Sequence, residues 1–217
     1  MRDETILCIS PRGWHTLWRS TQQIMSRLAR QNRVLFIEPG RFAYSSALSE
    51  LVRHLPDYVL LRPEVITDNL IVIPTPSSLP HARRLLPPQI LRYSMPLIIQ
   101  YNASLLVRQV KRAMQALAVV DPILWLYSPY QRDLIGQFNE KLVCYYVYDE
   151  YSAFTHNARI KALLEQYDRD VARRADVVFA SSRAQYEHRQ PFNPHTYFVP
   201  NAADFDLFRR GAENGPL

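Results

Sequence analysis

Short apolar runs alternate with amphipathic segments along most of this chain, and this alternation constrains the fold more than any other feature. Strands that are buried on both faces have such continuous apolar runs. We predict strands at 5–10, 33–37, 122–127, 142–148, 177–180 and 197–199. Apolar residues at helical spacing predict helices at 17–31, 159–174 and 183–190. Strand–helix alternation typically gives parallel strands joined by helices, so we expect an α/β fold: a Rossmann-like three-layer sandwich with a mostly parallel sheet.

The remaining segments are less regular. Asp68–Asn69 predict a turn between two strands. Six prolines fall between Pro74 and Pro96, and they predict a surface excursion without a long straight helix. Helical spacing returns at 98–117. We also predict the strands 58–61 and 70–73 beside that turn and short helices at 46–55, 131–138 and 204–208.

Composition narrows the functional classes. The 217 residues suffice for one large domain or two small ones. Two cysteines, Cys8 and Cys144, exclude a disulfide-rich scaffold, and no apolar run reaches the roughly 20 residues of a membrane span. The net charge is +6, and all but three of the 26 basic residues are arginine. Arginine binds phosphate in a bidentate way, so nucleic acid, anionic lipid and phosphorylated small molecules all remain as partners.

Ligands of open α/β sheets bind outside the carboxyl ends of the strands. Gly13 follows the first predicted strand and permits close approach of a ligand, and Trp14 offers an aromatic face for a sugar or for packing under the loop. His15 is the candidate catalytic residue, because an imidazole can orient or deprotonate a hydroxyl. No Gly-x-Gly-x-x-Gly motif or phosphate-loop lysine is present. The loops concerned are 11–16, 129–131, 149–156 and 201–204.

Asp149 and Glu150 end another predicted strand, where one acid can bind a sugar hydroxyl or a basic partner while the other caps the next segment. His156 follows a few residues later. The six histidines and two cysteines lack the close spacing of metal ligands, so we expect no metal site.

Two segments carry a family resemblance. Residues 174–182 read RADVVFASS, and residues 199–208 read VPNAADFDLF. They resemble the aDxVixxS and vPNGvDxxxF segments of the retaining GT-B glycosyltransferases that use nucleotide-sugars (family four). Tyr148-Asp149-Glu150 is similar to a branch of cell-envelope polysaccharide enzymes of the teichuronic-acid type. The resemblance covers nearly the whole chain, most strongly at its C-terminal end.

This resemblance implies that residues 1–208 are the acceptor-side, Rossmann-like half of a GT-B enzyme and that 209–217 begin a linker or tail. The implied function is transfer of a sugar from a nucleotide-sugar to a glycan or lipid-linked acceptor, with no further cofactor. The donor would be held by a second domain, because the Glu-x₇-Glu donor signature is missing here. We therefore expect this polypeptide alone to transfer no sugar. The implied substrate-binding residues are Gly13, Trp14, His15, Asp149, Glu150, Ser182 and Asn201.

The sequence departs from the family pattern at three places. Gly13 stands alone where paired glycines are common, and Asp149 is not preceded by the usual histidine. Ala202 replaces the glycine that follows Asn201, which makes a left-handed turn costlier there. Asp204 is a candidate helix N-cap at the hinge.

The helix predicted at 98–117 carries Arg108, Lys111 and Arg112 on one side and apolar residues opposite. Together with Arg83–Arg84, these cations are candidate contacts to anionic lipid, and an ordinary helix packed on the sheet is the simpler interpretation. We expect a cytoplasmic protein, at the inner face of the membrane if lipid is bound. The alternatives are a non-catalytic glycan- or lipid-carrier-binding module and, less favoured, a basic nucleic-acid-binding domain. The aromatic residues of this chain lie mostly in apolar runs and are not interleaved with arginines, so we expect no nucleic-acid partner.

Overall fold

The computed structural model describes residues 2–39, 63–75 and 88–202, together with Arg209. Its strands, in chain order, are β1 Thr5–Ile9, β2 Arg33–Ile37, β3 Glu64–Thr67, β4 Leu70–Ile73, β5 Ile123–Leu126, β6 Leu142–Val147, β7 Val177–Ala180 and β8 Thr196–Phe198. Its α-helices are α1 Ser20–Leu28, α2 Pro88–Ala116, α3 Ala158–Arg174 and α4 Arg183–Arg189. Two 3₁₀ helices span Pro129–Leu134 and Tyr151–Phe154.

The described strands form one eight-stranded sheet in the order β3-β4-β2-β1-β5-β6-β7-β8. Neighbouring strands are parallel except for β3 and β4, which pair antiparallel. The chain moves outward from β1 through β2 to β4 and then returns to place β5 on the other side of β1. The chain thus reverses its direction of travel across the sheet between the neighbouring strands β1 and β5. Ligands of such sheets bind outside the carboxyl ends of the strands at this switch point.

Helices cover the sheet on both faces. Met25 of α1 and Ala29, which follows its last residue, pack on the face of the sheet that carries Ile6, Phe36 and Trp125. Helices α2 and α3 pack on the opposite face, which carries Leu7, Leu35 and Leu124 among its buried residues. The predicted three-layer sandwich with a mostly parallel sheet is confirmed.

The expectation that the proline-rich stretch up to Pro96 contains no long helix was wrong for residues 88–96, and residues 76–87 lie outside the described part of the chain. Helix α2 is 29 residues long and contains Pro96. Pro88 stands at its first position, where the missing N–H group costs nothing because the first helical N–H groups lack intrahelical acceptors. Val110, Met114 and other apolar side chains anchor the helix to the sheet, which offsets the hydrogen bond that Pro96 cannot donate.

Other boundaries differ by a few residues. Helix α1 begins at Ser20 rather than residue 17, because Arg19 is extended and serves as its N-cap. The short helix expected at 131–138 is the 3₁₀ helix Pro129–Leu134, and β3 at 64–67 is the hairpin partner of β4. The segments predicted at 46–55, 58–61 and 204–208, and Arg83, Arg84 and Asp204, lie outside the described residues.

Candidate functional site

A single side chain joins the carboxyl ends of β1 and β5 at the switch point. Gln131, in the 3₁₀ helix after β5, donates from Nε2 to the Ile9 carbonyl at 2.9 Å. Its Oε1 accepts from the backbone N–H groups of Tyr127 and Ser128 at 2.8 and 3.1 Å. Gln131 therefore fixes the relative position of the two strand ends between which a ligand would bind.

The loop between β1 and α1 is organised by two buried polar side chains. Glu38 Oε1, at the end of β2, accepts from the Trp14 N–H at 2.6 Å. Gln22, fully buried in α1, donates to the Gly13 carbonyl at 3.0 Å and accepts from the Arg19 N–H at 3.0 Å. A Cβ atom at Gly13 would lie 3.3 Å from Glu38 Oε1, so glycine fits a tightly packed position there.

Trp14 lies in the core. It is 4% exposed, and its ring makes edge contacts with Phe36 and Trp18 at centroid distances of 5.0 and 5.2 Å. Of the two roles open to this residue on sequence grounds, the structure shows packing under the loop. Stacking of Trp14 on a sugar is incompatible with this burial.

His15 is exposed and pairs with the antiparallel edge of the sheet. Its Nε2 lies 2.8 Å from Oε2 of Glu64 in β3. A carboxylate at Nε2 favours the tautomer protonated on that nitrogen and leaves Nδ1 as the basic atom. The pair can thus accept a proton from a hydroxyl group.

Three tyrosine rings form a cluster near the ends of β5 and β6. Tyr127 is fully buried and contacts the rings of Tyr146 and Tyr148 at centroid distances of 5.7 and 5.9 Å. Burial raises the pKa of Tyr127 well above its ordinary value and also raises the pKa of Tyr146. The Tyr146 hydroxyl donates to Oδ1 of Asn201 at 3.3 Å, which ties the predicted Asn201 to this cluster.

Glu150 belongs to a buried ionic network. Arg189 of α4 is 1% exposed, and its Nη2 lies 3.1 Å from Glu150 Oε2 and 3.1 Å from Asp168 Oδ2. Asp168 is buried in α3 and accepts from the Tyr145 hydroxyl at 2.7 Å. The Glu150 carboxylate is 39% exposed, so it anchors the β6 end and still reaches solvent.

The other predicted residues are divided among several elements. Asp149 is half-buried two residues after the end of β6. Ser182 caps α4, because its Oγ accepts from the Gln185 N–H at 3.3 Å. His15 contacts β3 and Glu150 contacts α4, so the residues share one sheet edge without a common contact network.

Sequence reasoning missed three exposed apolar side chains at this edge. Leu17 and Trp18, in the loop after β1, are 77% and 49% exposed, and Phe154 in the segment after β6 is 61% exposed. The sequence pattern placed Trp18 in α1, because it predicted that this helix starts at residue 17. In the structure Trp18 lies in the loop that precedes the helix. Its exposure depends on how Trp14 packs beneath it, and no local pattern reports that.

The described ranges, residues 2–39, 63–75 and 88–202, contain neither a cluster of metal ligands nor a membrane-spanning helix. Within those ranges, no three His, Cys, Asp or Glu side chains are grouped as a metal site would require. No helix in the same ranges combines the length and apolar character needed to cross a bilayer.

The fold resembles that of known protein structures, although no sequence relative is found. No protein-family model matches the chain, and no curated protein is similar to it in sequence. A sucrose-phosphate synthase structure from Thermosynechococcus elongatus superposes with a TM-score of 0.55 at 12% identity, over 97% of this chain and 96% of that one. A UDP-glucosyltransferase from Polygonum tinctorium, in complex with 3,4-dichloroaniline, superposes with a TM-score of 0.54 at 12% identity.

The second match covers all of this chain and 57% of the glucosyltransferase, so this chain spans little more than half of that protein. At such low identity these similarities establish the architecture alone. The chain has the Rossmann-like α/β fold of these GT-B glycosyltransferase structures.

Proposed function

We propose that this chain is the acceptor-binding half of a glycosyltransferase in cell-envelope polysaccharide synthesis. The enzyme would transfer a sugar from a nucleotide-sugar to a glycan or lipid-linked acceptor, and the donor would be held by a second domain. The observation that carries the proposal lies at the carboxyl edge of the sheet, where His15 and Trp18 of the β1–α1 loop are exposed and His15 pairs with Glu64 of β3. The fold shared with GT-B structures supports it.

The exposed indole of Trp18 is the proposed sugar platform, in place of buried Trp14. Its far side rests against the Trp14 ring, which holds the exposed ring in one orientation. Aromatic faces bind the apolar faces of sugars at little conformational cost when they are held in this way. His15, with its Nδ1 basic, is the proposed proton acceptor for the acceptor hydroxyl.

Binding of saccharides to the 217-residue chain tests this role. We expect saturation-transfer NMR to detect short hexose and N-acetylhexosamine oligosaccharides and to show no binding of UDP-glucose. Trp18→Ala should weaken saccharide binding about fivefold, corresponding to roughly 1 kcal/mol for an aromatic contact. Tyr197→Ala is the matched control, because Tyr197 is a similarly exposed aromatic residue (53%) on the edge strand β8. Binding of UDP-glucose without any saccharide would contradict the acceptor-side assignment.

Activity provides a second test. We expect the isolated chain to transfer no sugar from UDP-glucose to these oligosaccharides. Detectable transfer would show that these residues also bind the donor. The proposal that this chain binds only the acceptor, and a second domain the donor, would then be wrong.

We further propose that α2 contacts an anionic membrane, which would bring the acceptor side to a lipid-linked substrate on the cytoplasmic face. Arg108, Lys111 and Arg112 are exposed, whereas Val110 and Met114 are buried against the sheet. The cations are therefore free to meet lipid headgroups without loss of core packing. Co-sedimentation with phosphatidylglycerol vesicles, abolished by charge reversal at the three positions, is the expected result.

A further inference from the structure

An open groove lies between α2, the 3₁₀ helix Pro129–Leu134 and the C-terminal end of α3. It consists of two adjoining cavities of about 470 and 310 Å³ that share Asp133 and Arg174. The larger cavity is lined on the α2 side by Gln100, Ser104 and Arg108. Neither Gln131 nor the end residues of β1 and β5 line the two cavities, so the groove is separate from the switch point.

Arg174 is held rigidly on one side of the groove. Its guanidinium donates to the backbone carbonyls of Arg132 and Ile135 at 3.2 and 2.8 Å. No carboxylate in the described part of the chain pairs with Arg174 or with Arg108. A planar guanidinium fixed by carbonyl groups retains N–H donors for a phosphate oxygen.

The local charge balance favours an anion. Asp133 lines the groove, and a bound anion would face its carboxylate as well as the arginines. Arg132 already neutralises that carboxylate at 2.8 Å and approaches Asp170 at 3.5 Å. With Arg108, Arg173 and Arg174 added, four cations outnumber two carboxylates around the two cavities.

The exposed face of α2 indicates the kind of molecule that carries the anion. Leu97 and Tyr101 are 67% and 51% exposed and lie within about one helical turn of Gln100 and Ser104. Arg108 lies farther along the same face, at positions spaced by three and four residues. Along this face of α2, apolar side chains come first, polar side chains at the edge of the groove follow, and a basic side chain comes last. A phospholipid presents matching groups in the same order: acyl chains, polar ester groups and phosphate.

We propose that this groove seats the phosphate of an anionic phospholipid headgroup between Arg108 and Arg174, with the acyl chains directed toward Leu97 and Tyr101. Gln100, Ser104 and Gln137 supply hydrogen-bonding groups for headgroup hydroxyls. This inference rests on the proposed membrane contact of α2 and makes it specific, because it assigns the headgroup to one cavity rather than to a diffuse basic surface.

Vesicle binding separates a specific seat from general charge. We expect Arg108→Gln to lower the affinity for phosphatidylglycerol vesicles about tenfold, and Arg30→Gln, which removes the same charge from an exposed position beyond α1, to change it less than twofold. Ser104→Gln should also lower the affinity, because it fills the groove at an exposed helix position without changing charge. Equal effects of Arg108→Gln and Arg30→Gln would overturn the headgroup seat while the membrane contact stands. Absence of binding to the vesicles by the unaltered chain would overturn both.

A soluble probe distinguishes the lipid from free phosphate. We expect dihexanoyl phosphatidylglycerol, below its micelle concentration, to shift the amide resonances of Ser104 and Arg174 at concentrations at least tenfold lower than sodium phosphate. Equal potency of sodium phosphate would assign the groove to a soluble phosphate ligand and overturn the lipid assignment. Ser104→Gln should abolish the shifts at Arg174, and their persistence would place the ligand elsewhere.

Discussion

Gln131 donates a hydrogen bond to the carbonyl of Ile9, a residue 122 positions earlier in the chain, and so joins the ends of two adjacent parallel strands. The same side chain accepts from two backbone N–H groups after β5. A backbone carbonyl at the end of β1 and two N–H groups at the end of β5 depend on one amide. Gln131 thus continues the link between β1 and β5 just beyond the end of their backbone pairing.

Replacement of Gln131 by alanine should destabilise the protein by about 1–3 kcal/mol, because partly buried backbone groups lose their partners. Urea denaturation followed by far-ultraviolet circular dichroism measures this change. Gln115→Ala is the control, since Gln115 is exposed on α2 and should change stability by less than about 0.5 kcal/mol. Equal stability of the two variants would show that water replaces the Gln131 hydrogen bonds without cost.

Arg189→Met should be the more damaging substitution. It leaves the buried Asp168 carboxylate without its cation and releases Glu150 from α4. Removing one partner of a buried ion pair typically costs about 3–5 kcal/mol. The double variant Arg189→Met/Asp168→Asn should recover part of this loss, because the uncompensated buried charge is gone. A double variant no more stable than Arg189→Met would indicate that shape, not charge, controls this site, and exposed Arg30→Gln serves as the control for lost positive charge.

Trp14 and Trp18 are in ring contact, yet their substitution should destabilise the protein to very different extents. Trp14→Ala empties a buried site and should cost about 3–5 kcal/mol of unfolding free energy. Trp18→Ala removes a half-exposed ring and should cost about 1 kcal/mol or less. Chemical denaturation of both variants, with tryptophan fluorescence as the second readout, tests the assignment. Similar losses in the two variants would contradict the buried packing role of Trp14.

Stability should fall in alkaline solution. Burial, assisted by Asp176, raises the pKa of Cys144 from 9.0 to about 12, and burial also raises the pKa of Cys8. Above pH 9 the unfolded chain releases these protons while the folded chain retains them, so the free energy of unfolding decreases as pH rises from 9 toward 12. The slope is at most about 1.4 kcal/mol per pH unit for each thiol. Urea denaturation at pH 8, 9, 10 and 11 measures it.

Cys144→Ala should reduce that alkaline slope, because one of the titrating groups is removed. Tyrosines with raised pKa values, such as Tyr145, extend the loss of stability above pH 10. A free energy of unfolding that stays constant between pH 8 and 11 would contradict the burial of both thiols.

The sheet could be predicted from the sequence because its signal is local. Strands buried on both faces need consecutive apolar residues, and the segments at β1, β2, β5 and β6 show that pattern without regard to their neighbours. The N-cap contact of Ser182 at the start of α4 is also local, because its side chain accepts from a backbone N–H three residues later. Local rules failed at Pro96, where packing of α2 on the sheet outweighed the helix-breaking tendency of proline.

The sequence by itself determined the α/β class, the positions of every described strand except β3, and the loops that meet at the carboxyl edge. Only the tertiary structure decided that Trp14 is buried while Trp18 is exposed, that Glu150 pairs with Arg189, and that Gln131 spans the switch point. These roles come from contacts between residues far apart in the chain. Hydrogen bonding and burial at a site depend on what the fold places opposite each side chain, and periodicity records only which way a side chain faces.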